Sequence, residues 1–509
     1  MMAWKLRLKP NGGTPLYKQI ESSIRDAIGS GRLKSGERIP SVADLAAELK
    51  INRITVHKVF QRLEKAGLLR SEVGRGTFVA ANGDGPPQSA SVGAGGGFNG
   101  EPVKPEVARS VRRLREGYAG GLRQLLAIER RPGTINLSGG VPSQENIPAG
   151  LVERLTRDVF RKNPARIYEY CGPAGMLELR EALRERLARR GVSVTSDEII
   201  ITNGSQQAIS LAAAWARDES RAALCETPTY TGVPGCMMLF GHAVQSVPWE
   251  NGAPNLDTLR GLSAGRRVVF YLCPDFHNPT GQSLSTAARQ ELAGWARQTD
   301  ALVIDDEIFR EMRFEGEEPP SLYSLLPPGR RVMVGSISKT FMPGLRVGFL
   351  VADRPLAGEL VPYKRYMDVG GPSLTQAIAA EFLRDGYDQH LETIRAIYRE
   401  RRDVALAALK EQMPTGVTWT RPQGGFQLWV TLPRQVSSVQ LFLDAVEHGV
   451  SINPGPVSDI DGRYLNCFRL GYGHATPGEI RVAIARLAEI VGKLAARGAD
   501  DSSGLGINL

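Results

Sequence analysis

The sequence predicts an α/β domain with a largely parallel sheet, preceded by a small, basic helical domain. From residue 198 onward, six short apolar runs alternate with helical stretches, which is typical of parallel strands joined by crossover helices. The net charge of +9 is uneven, because residues 1–80 hold 15 Lys and Arg against 7 Asp and Glu, a net of +8. A compact basic segment of this kind favours binding to nucleic-acid phosphates.

The bulk composition excludes several classes of protein. With 42% hydrophobic and 23% charged residues in 509, the chain is typical of a globular protein rather than a disordered or fibrous one. No apolar stretch approaches the roughly 18 residues that span a bilayer, and no signal peptide is evident, which predicts a cytoplasmic location without a membrane partner. The five cysteines form no CxxC pair, so neither a metal site nor a disulfide framework is expected.

Composition also divides the chain. Residues 1–80 form the basic domain, and residues 81–109 are rich in Gly, Pro, Ser and Ala, which predicts a flexible linker. A linker of this length spans about 30 Å, so the basic domain could reach across a dimer. Residues 110–497 form the α/β domain, and residues 498–509 are a polar tail.

Three helices are predicted in the basic domain. Apolar residues at i, i+4 spacing indicate the first over 15–28, and Ser41 caps the second. Asn52 caps the third helix, which ends at Gly67. Only three residues separate helices two and three, which is the short turn of a helix-turn-helix, and a hairpin follows over 68–80.

The third helix and the hairpin tip carry the candidate DNA contacts. Polar and basic side chains lie outside the apolar stripe of that helix, where they can reach base edges, and an Arg between two glycines can enter the minor groove or bind phosphate. The candidate DNA-binding residues are Ser41, Arg53, Thr55, His57, Lys58, Arg75 and Gly76. The alternatives are a solvated charged face and a basic tail that only aids solubility.

Residues 14–79, from PLYKQIE through GRGTFV, resemble the winged helix-turn-helix of the GntR family of bacterial transcription regulators. The resemblance implies a double-stranded DNA operator as partner. One position departs from the family pattern, because Ala43 stands where the family usually has Arg. The expected cost is one phosphate contact, which lowers affinity without changing the fold.

In the α/β domain, chemically useful residues follow the ends of the apolar runs, where open α/β sheets bind ligands. The runs are 198–202, 222–226, 268–273, 301–306, 332–338 and 348–352. Ser205 opens a helix after the first run, and Ser336 and Arg346 lie near the last two, which suits a phosphate group. Lys339 could form a Schiff base, and the carboxylate of Asp306 needs a cationic partner.

Two further residues complete a pattern that indicates one ligand. Tyr230 could stack on an aromatic ring, and Asn278 offers an amide donor in a rigid turn. Each of these residues alone has a plain structural reading: a solvated lysine, a salt-bridged aspartate or a packing tyrosine. Their shared placement at strand ends, and their fit to an aromatic, phosphorylated, carbonyl-bearing ligand, predict pyridoxal 5′-phosphate.

Residues 135–493 resemble the fold type I, class I/II aminotransferases. The matching segments include ITNGSQQAI, PTYTG, HNPTG, VIDDEIF, SISKTFMPGLRVG and NCFRLGYG, all in the family's order. The resemblance implies that Lys339 carries the cofactor as an imine and that Asp306 pairs with its ring nitrogen. It also implies that Asn278 donates to the ring oxygen and that Tyr230 stacks on the ring. The residues implied to hold the phosphate are Ser205, Gln206, Ser336, Ser338, Arg346 and, from the partner subunit of a dimer, Tyr170.

The same resemblance implies a site for an amino compound. Arg469 matches the residue that clamps a substrate's α-carboxylate, and Gly140 lies in the loop that covers it. One departure concerns catalysis, because a Tyr usually follows the ring-pairing Asp by two or three residues, whereas this chain has Ile308 and Phe309. Without that phenol, imine formation is expected to survive and turnover to be less efficient.

The chain has a GntR-type DNA-binding domain, then a linker, then an aminotransferase-like domain. This order resembles the MocR subfamily of regulators. The resemblance implies a head-to-tail homodimer. It also implies a transcription regulator in which pyridoxal phosphate acts as a sensor. We expect this regulator to sense a small amino acid or amine by external aldimine formation. Two alternatives stay open: a working aminotransferase that carries a DNA-binding module, and a regulator that senses pyridoxal phosphate itself.

Overall fold

The computed structural model describes residues 16–49, 56, 59–60, 63, 68–72, 76–80, 133–162, 164–219 and 221–500. They fall into two compact units, one within Met1–Pro102 and one within Val103–Leu509. The predicted linker 81–109 lies outside the described residues, and so does 501–509 of the predicted tail, whereas 498–500 belong to the last helix. The exact domain boundaries therefore stay a prediction.

The N-terminal unit combines helices with a small antiparallel sheet. Its labelled elements are α1 (Leu16–Gly29), β1 (Arg38–Ile39), α2 (Val42–Leu49), β2 (Leu69–Glu72) and β3 (Gly76–Val79). The strands lie in the order β1-β3-β2, and β2 and β3 form the hairpin that the sequence predicts. Between α2 and β2, helical residues Val56, Val59, Phe60 and Leu63 are buried against the apolar stripe of α1. This is the predicted winged helix-turn-helix.

An eight-stranded sheet forms the centre of the C-terminal unit. Its strands are β5 (Ile199–Thr202), β6 (Ala222–Thr227), β7 (Val244–Glu250), β8 (Ala253–Pro254), β9 (Val268–Leu272), β10 (Ala301–Asp306), β11 (Arg331–Ser336) and β12 (Gly348–Ala352). They lie in the order β5-β12-β11-β10-β9-β6-β7-β8. Strand β12 is antiparallel to both neighbours and β8 to β7, while the other pairs are parallel. All six predicted runs are strands of this sheet, and the α/β fold class is confirmed.

Helices cover both faces of this sheet. The helices of the unit are α3 (Ala149–Lys162), α4 (Pro164–Tyr168), α5 (Leu177–Arg189), α6 (Ser205–Asp218), α7 (Gly232–Leu239), α8 (Leu256–Ser263), α9 (Thr286–Gln298), α10 (Leu322–Leu325), α11 (Arg354–Asp368), α12 (Ser373–Arg384), α13 (Tyr387–Gln412), α14 (Ser438–Glu447) and α15 (Pro477–Asp500). Along β9, Val269 and Tyr271 pack in one core cluster with α6 and α11, whereas Phe270 and Leu272 pack in another with α8 and α9. Because alternate strand residues point to opposite faces, burial on both sides explains the continuous apolar runs.

A smaller antiparallel sheet positions the rest of the site. It contains β13 (Thr418–Trp419), β14 (Gln427–Thr431), β16 (Asn453–Pro454) and β17 (Cys467–Gly471) in the order β13-β14-β17-β16. A short parallel pair, β4 (Ile135–Asn136) and β15 (Val450–Ser451), lies beside it. The Gly471 amide donates to the Leu137 carbonyl at 2.7 Å, which holds the loop after β4 against the end of β17.

In the part of the chain that the structure describes, no helix is both long and apolar enough to cross a membrane. All five cysteines are free thiols.

Candidate cofactor and effector site

Lys339 lies at the centre of the site, just after β11. Its Nζ donates to the Gly140 carbonyl at 2.6 Å and lies 5.4 Å from the centroid of the Phe309 ring. Burial lowers the pKa of Lys339, the positive charges of Arg469 and Arg346 add to this effect and Asp306 opposes it, so that the resulting pKa is about 8. A lysine with such a pKa is partly neutral near physiological pH, which makes it a nucleophilic amine.

Asp306, the last residue of β10, is a buried acid with few compensating contacts. It is 1% exposed, and it accepts hydrogen bonds from the Tyr271 hydroxyl at 2.6 Å and the Ile308 amide at 3.2 Å. Burial raises the pKa of Asp306 to about 6 in spite of these bonds. A cationic N–H at this position would relieve that cost, because an opposite charge favours the ionised form.

Tyr271 is a site residue that sequence reasoning missed. It lies on β9 and is 1% exposed, and its hydroxyl supplies the side-chain hydrogen bond to Asp306. The signal was a tyrosine inside an otherwise apolar strand, since a buried tyrosine hydroxyl usually has a polar partner.

One end of the site, here called the Arg346 corner, consists of Gly204, Ser205, Arg346 and Gly348. Ser205 is the first residue of α6, and the Arg346 guanidinium donates to the Asn203 carbonyl at 3.0 Å beside it. A Cβ on Gly348 would lie 2.5 Å from the Gly204 carbonyl carbon and 2.7 Å from the Ser205 nitrogen. Only glycine allows this approach, which sets a guanidinium beside a helix N-terminus and so forms a site suited to an anion.

The predicted serines after β11 form a small hydroxyl network. Ser336 Oγ lies 2.9 Å from Ser338 Oγ and 3.1 Å from the Val347 carbonyl, and it accepts from the Ser338 amide at 3.1 Å. These bonds hold Ser336 and Ser338 together, directly before Lys339.

Tyr230 and Gln206 lie on the β6 side of the site. The Tyr230 hydroxyl donates to Gln206 Oε1 at 3.1 Å, and Gln206 Nε2 donates to the Gly232 carbonyl at 3.2 Å. Burial raises the pKa of Tyr230, and the negative charge of Asp306 raises it further. Next to it, Thr229 is 1% exposed, and its hydroxyl has no hydrogen-bond partner among the described residues.

The opposite end, here called the Arg469 corner, consists of Ser138, Gly140, Asn278 and Arg469. The Arg469 guanidinium donates to Asn278 Oδ1 at 2.7 Å and to the Ser138 carbonyl. Arg469 belongs to β17 of the small sheet, whereas Asn278 follows β9 of the large one. This cation therefore joins the two sheets at the side of Lys339.

The structure does not place every predicted residue in the site. Tyr170 is 91% exposed, and its role through a partner subunit stays a prediction. In the N-terminal unit, Ser41 is exposed and its Oγ accepts from the Asp44 amide at 3.2 Å, and Gly76 is the first residue of β3. The other candidate DNA contacts, Arg53, Thr55, His57, Lys58 and Arg75, lie outside the described residues.

The fold and the site define a class: an aminotransferase-type α/β domain preceded by a DNA-binding winged helix. Residues 132–487 match the family of class I and II aminotransferases, and residues 16–79 match the gntR family of bacterial regulatory proteins. The chain belongs to the GntR regulators that carry a class I and II aminotransferase domain, the MocR subfamily.

Transcription regulators and a transaminase are among the relatives that support this assignment. The chain is 30% identical to the uncharacterized HTH-type transcriptional regulator YdfD of Bacillus subtilis, over 95% of this chain and 98% of that protein. It is 28% identical to the probable rhizopine catabolism regulatory protein MocR of Rhizobium meliloti, over 88% of each. It is also 33% identical to the 2-aminoadipate transaminase of Thermus thermophilus, over 72% of this chain and 93% of that enzyme.

Solved structures agree with the fold of the C-terminal unit. The α-aminoadipate aminotransferase LysN of Thermus thermophilus, complexed with N-(5′-phosphopyridoxyl)-L-leucine, has a TM-score of 0.67 and 31% identity, covering 75% of this chain and 98% of that chain. The multiple substrate aminotransferase of Thermococcus profundus has a TM-score of 0.70 and 29% identity, covering 74% and 95%.

Pyridoxal 5′-phosphate is the cofactor of this domain, and the residues present fit it. The Arg346 corner suits a phosphate, and Lys339, with its lowered pKa, suits a carbonyl carbon. The buried Asp306 suits a protonated pyridine nitrogen. Among the described residues, no group of His, Cys, Asp or Glu side chains gathers as a metal site.

Proposed function

We propose that this protein is a transcription regulator whose C-terminal unit senses a small amino acid or amine at the pyridoxal phosphate site. One observation carries the proposal: Lys339, an amine with a pKa of about 8, is close enough to Asp306 and Arg469 for both charges to affect that pKa, and Arg469 joins the two sheets of the unit. A site that binds an amine and a carboxylate is thereby linked to the contact between the two sheets, and a change in that contact can alter the conformation of the unit.

We propose the cofactor contacts that the similarity to class I and II aminotransferases implies. Lys339 would hold the carbonyl carbon, Asp306 the ring N–H and Asn278 the ring oxygen, while Tyr230 would stack on the ring. The proposed phosphate ligands are Ser205, Gln206, Ser336, Ser338, Arg346 and Tyr170 of the partner subunit. When bound, pyridoxal phosphate supplies an aldehyde carbon at which the Lys339 amine and the amine of a small molecule can exchange.

The protein's own residues then perform three tasks. Asp306 keeps a proton on the ring nitrogen, and Lys339, once its amine is released, can take up a proton. Arg469 binds the carboxylate of the amino compound in a bidentate geometry. A carboxylate there competes with Asn278 Oδ1 and the Ser138 carbonyl for the guanidinium, so binding alters the contact between the small and large sheets.

The change in sheet contact is the proposed signal. A ligand shifts a conformational equilibrium only by its differential affinity for the two states, and exchange of partners at Arg469 supplies such a difference. The amino compound would therefore change operator occupancy by the two DNA-binding domains of a dimer.

A head-to-tail homodimer is part of the proposal. Four large side chains are exposed on neighbouring segments: Tyr168 at 73%, Tyr170 at 91%, Tyr366 at 90% and Val369 at 57%. Cys171 Sγ donates to the Gly371 carbonyl at 3.1 Å, which brings the segments around Tyr170 and Val369 together. An exposed apolar patch of this kind favours burial against a second copy.

The proposal is tested by titrating the full-length protein, loaded with cofactor, with a panel of amino acids and amines. Visible absorbance reports amine exchange, and binding to operator DNA is followed in parallel. We expect at least one compound to change both signals at the same concentration. Ligand-dependent DNA binding that persists in Lys339→Ala, with the visible band absent, would contradict the mechanism.

A working aminotransferase is the second candidate, because Lys339 and Asp306 could support proton transfer. Phe309, which is 1% exposed and faces Lys339, argues against efficient turnover, since it lacks the phenol of a tyrosine. Keto-acid production at ordinary enzyme rates would favour this candidate. A third candidate is a regulator that senses pyridoxal phosphate itself. DNA binding that responds to pyridoxal phosphate alone, and is unaffected by Arg469→Ala, would favour it.

A further inference from the structure

Gln427, the first residue of β14, is buried at the Arg469 corner. Its side chain is 0% exposed, and β14 pairs with β17 so that Gln427 lies opposite Gly471 and Trp429 opposite Arg469. Residues two apart on a strand share a face, as do directly paired residues, so Gln427 and Arg469 lie on the same face of the small sheet.

The orientation of the Gln427 amide is determined by its neighbours. Nε2 donates to the Phe276 carbonyl at 2.8 Å and lies 3.4 Å from the His277 carbonyl. The opposite orientation would set Oε1 against two carbonyl oxygens, which is electrostatically unfavourable. Oε1 therefore points away from that loop, and it has no hydrogen-bond partner among the described residues.

Gln427 Oε1 lies close to Gly140. A Cβ built on Gly140 would have Gln427 Oε1 at 3.5 Å as its only heavy neighbour within 4 Å, apart from Gly140 and the residues adjoining it. The carbonyl of Gly140 is the group that accepts from Lys339 Nζ. The unpartnered oxygen is thus directed at the loop that Lys339 contacts.

We propose that Gln427 is a specificity residue that selects amino compounds with a second hydrogen-bond donor, such as a hydroxyl or ammonium group on the side chain. This inference rests on the proposed function, since the compound must first bind at Lys339 and Arg469. The donor would occupy the space beside Gly140, after Lys339 leaves the Gly140 carbonyl, and satisfy Oε1.

An amide oxygen only accepts hydrogen bonds, so it disfavours ligands whose side chains carry no donor. Leaving a buried acceptor unpaired is unfavourable, so a ligand with an apolar side chain at this point binds less tightly than one with a hydrogen-bond donor. A carboxylate side chain would set two acceptors against each other. A buried polar group discriminates between ligands more strongly than apolar contacts do, because a site built to hydrogen-bond a ligand rejects the analogue that lacks the hydrogen-bonding group.

The test uses isosteric pairs of amino acids that differ only in the donor: L-serine with L-2-aminobutyrate, L-homoserine with L-norvaline, and L-ornithine with L-norleucine. Kd values are measured on the full-length protein, loaded with cofactor, from the visible absorbance. We expect the donor-bearing member of at least one pair to bind at least about fivefold more tightly. Equal affinities within every pair would overturn the inference.

Two variants locate the preference. Gln427→Met keeps the length of the side chain without an amide, and Gly140→Ala sets a methyl group against Oε1 without touching Gln427. Both should reduce the preference to within about twofold, and the second keeps the test decisive if the first fails to fold. A preference that survives in either folded variant contradicts the assignment.

The outcomes separate this inference from the proposed function. If amino acids change the absorbance but show no donor preference, only the role of Gln427 fails. If none of them changes the absorbance or operator binding, the proposed function fails and this inference with it.

Discussion

The two arginine corners of the site are constructed differently. At the Arg346 corner, the guanidinium is held against the start of α6, and Gly348 lets two backbone segments approach to a distance that no Cβ allows. At the Arg469 corner, the guanidinium contacts the Ser138 carbonyl and the side chain of Asn278, and the contact with Asn278 joins two sheets. Backbone geometry can change little, whereas side-chain contacts can exchange partners. Under the proposed function, this difference would let one site hold its cofactor and still respond to a second ligand.

The largest expected effect concerns the backbone of the Arg346 corner. Gly348→Ala would set a Cβ 2.5 Å from the Gly204 backbone, so the start of α6 must move. We expect the affinity for pyridoxal phosphate to fall about 100-fold, since charge-assisted contacts to the phosphate are worth about 1.5–3 kcal/mol each. Cofactor titration by absorbance measures this loss.

Gly344→Ala is the matched control, because a Cβ there has no heavy neighbour within 4 Å. Unchanged affinity in Gly348→Ala would show that this corner is as adaptable as the other one.

The second effect concerns the buried acid between the corners. The pKa of Asp306 is about 6, above the usual value near 3.9, so the folded protein favours the protonated form. Without cofactor, the contribution of Asp306 to stability should rise as the pH falls from above 6 to 4, by about 2–3 kcal/mol. Asp306→Asn should remove this dependence, because the amide does not titrate.

Urea unfolding of the apoprotein at pH 8 and pH 4 measures the effect. Asp306→Asn should be more stable than the wild type at pH 8 and equal to it at pH 4. With cofactor bound the order at pH 8 should reverse, because the ionised carboxylate then has a cationic partner.

The third effect is confined to the Arg469 corner. Arg469→Gln should weaken a carboxylate-bearing effector about 20-fold and leave its decarboxylated amine almost unaffected, since only the acid uses the guanidinium. Matched titrations of an amino acid and its amine check the expectation, and Arg463→Gln, which alters an exposed arginine of the same unit, is the control.

The smallest effect concerns the pH dependence of cofactor loading. Because burial lowers the pKa of Lys339 to about 8, the neutral amine increases through that pH. The loading rate of the apoprotein should rise about tenfold between pH 7 and pH 9. Asp306→Asn should move the midpoint to lower pH, because it removes the charge that raises this pKa. A wild-type midpoint near pH 10, as for an exposed lysine, would contradict the burial effect.

Sequence reasoning predicted six of the eight strands of the large sheet and missed β7 and β8, while the roles of the residues at the strand ends stay predictions. Strand ends are local features, because an apolar run and the polar residue after it are adjacent in the chain. It missed Tyr271 and Gln427 for a common reason, since both lie within strands and their polar atoms acquire a role only from their neighbours. Helix α15 also continues to Asp500, past residue 498, where the polar tail was predicted to start.

By itself, the sequence determined the division of charge, the winged helix, the α/β class and the identity of the cofactor, because each depends on periodicity, composition or short motifs. Only the tertiary structure decided which groups meet. Arg469 and Asn278 are 191 residues apart and form one contact, and the pKa values of Lys339 and Asp306 depend on burial. The orientation of the Gln427 amide is fixed by two carbonyls about 150 residues away. Electrostatic environment and amide orientation depend on packing between distant segments, which no local pattern encodes.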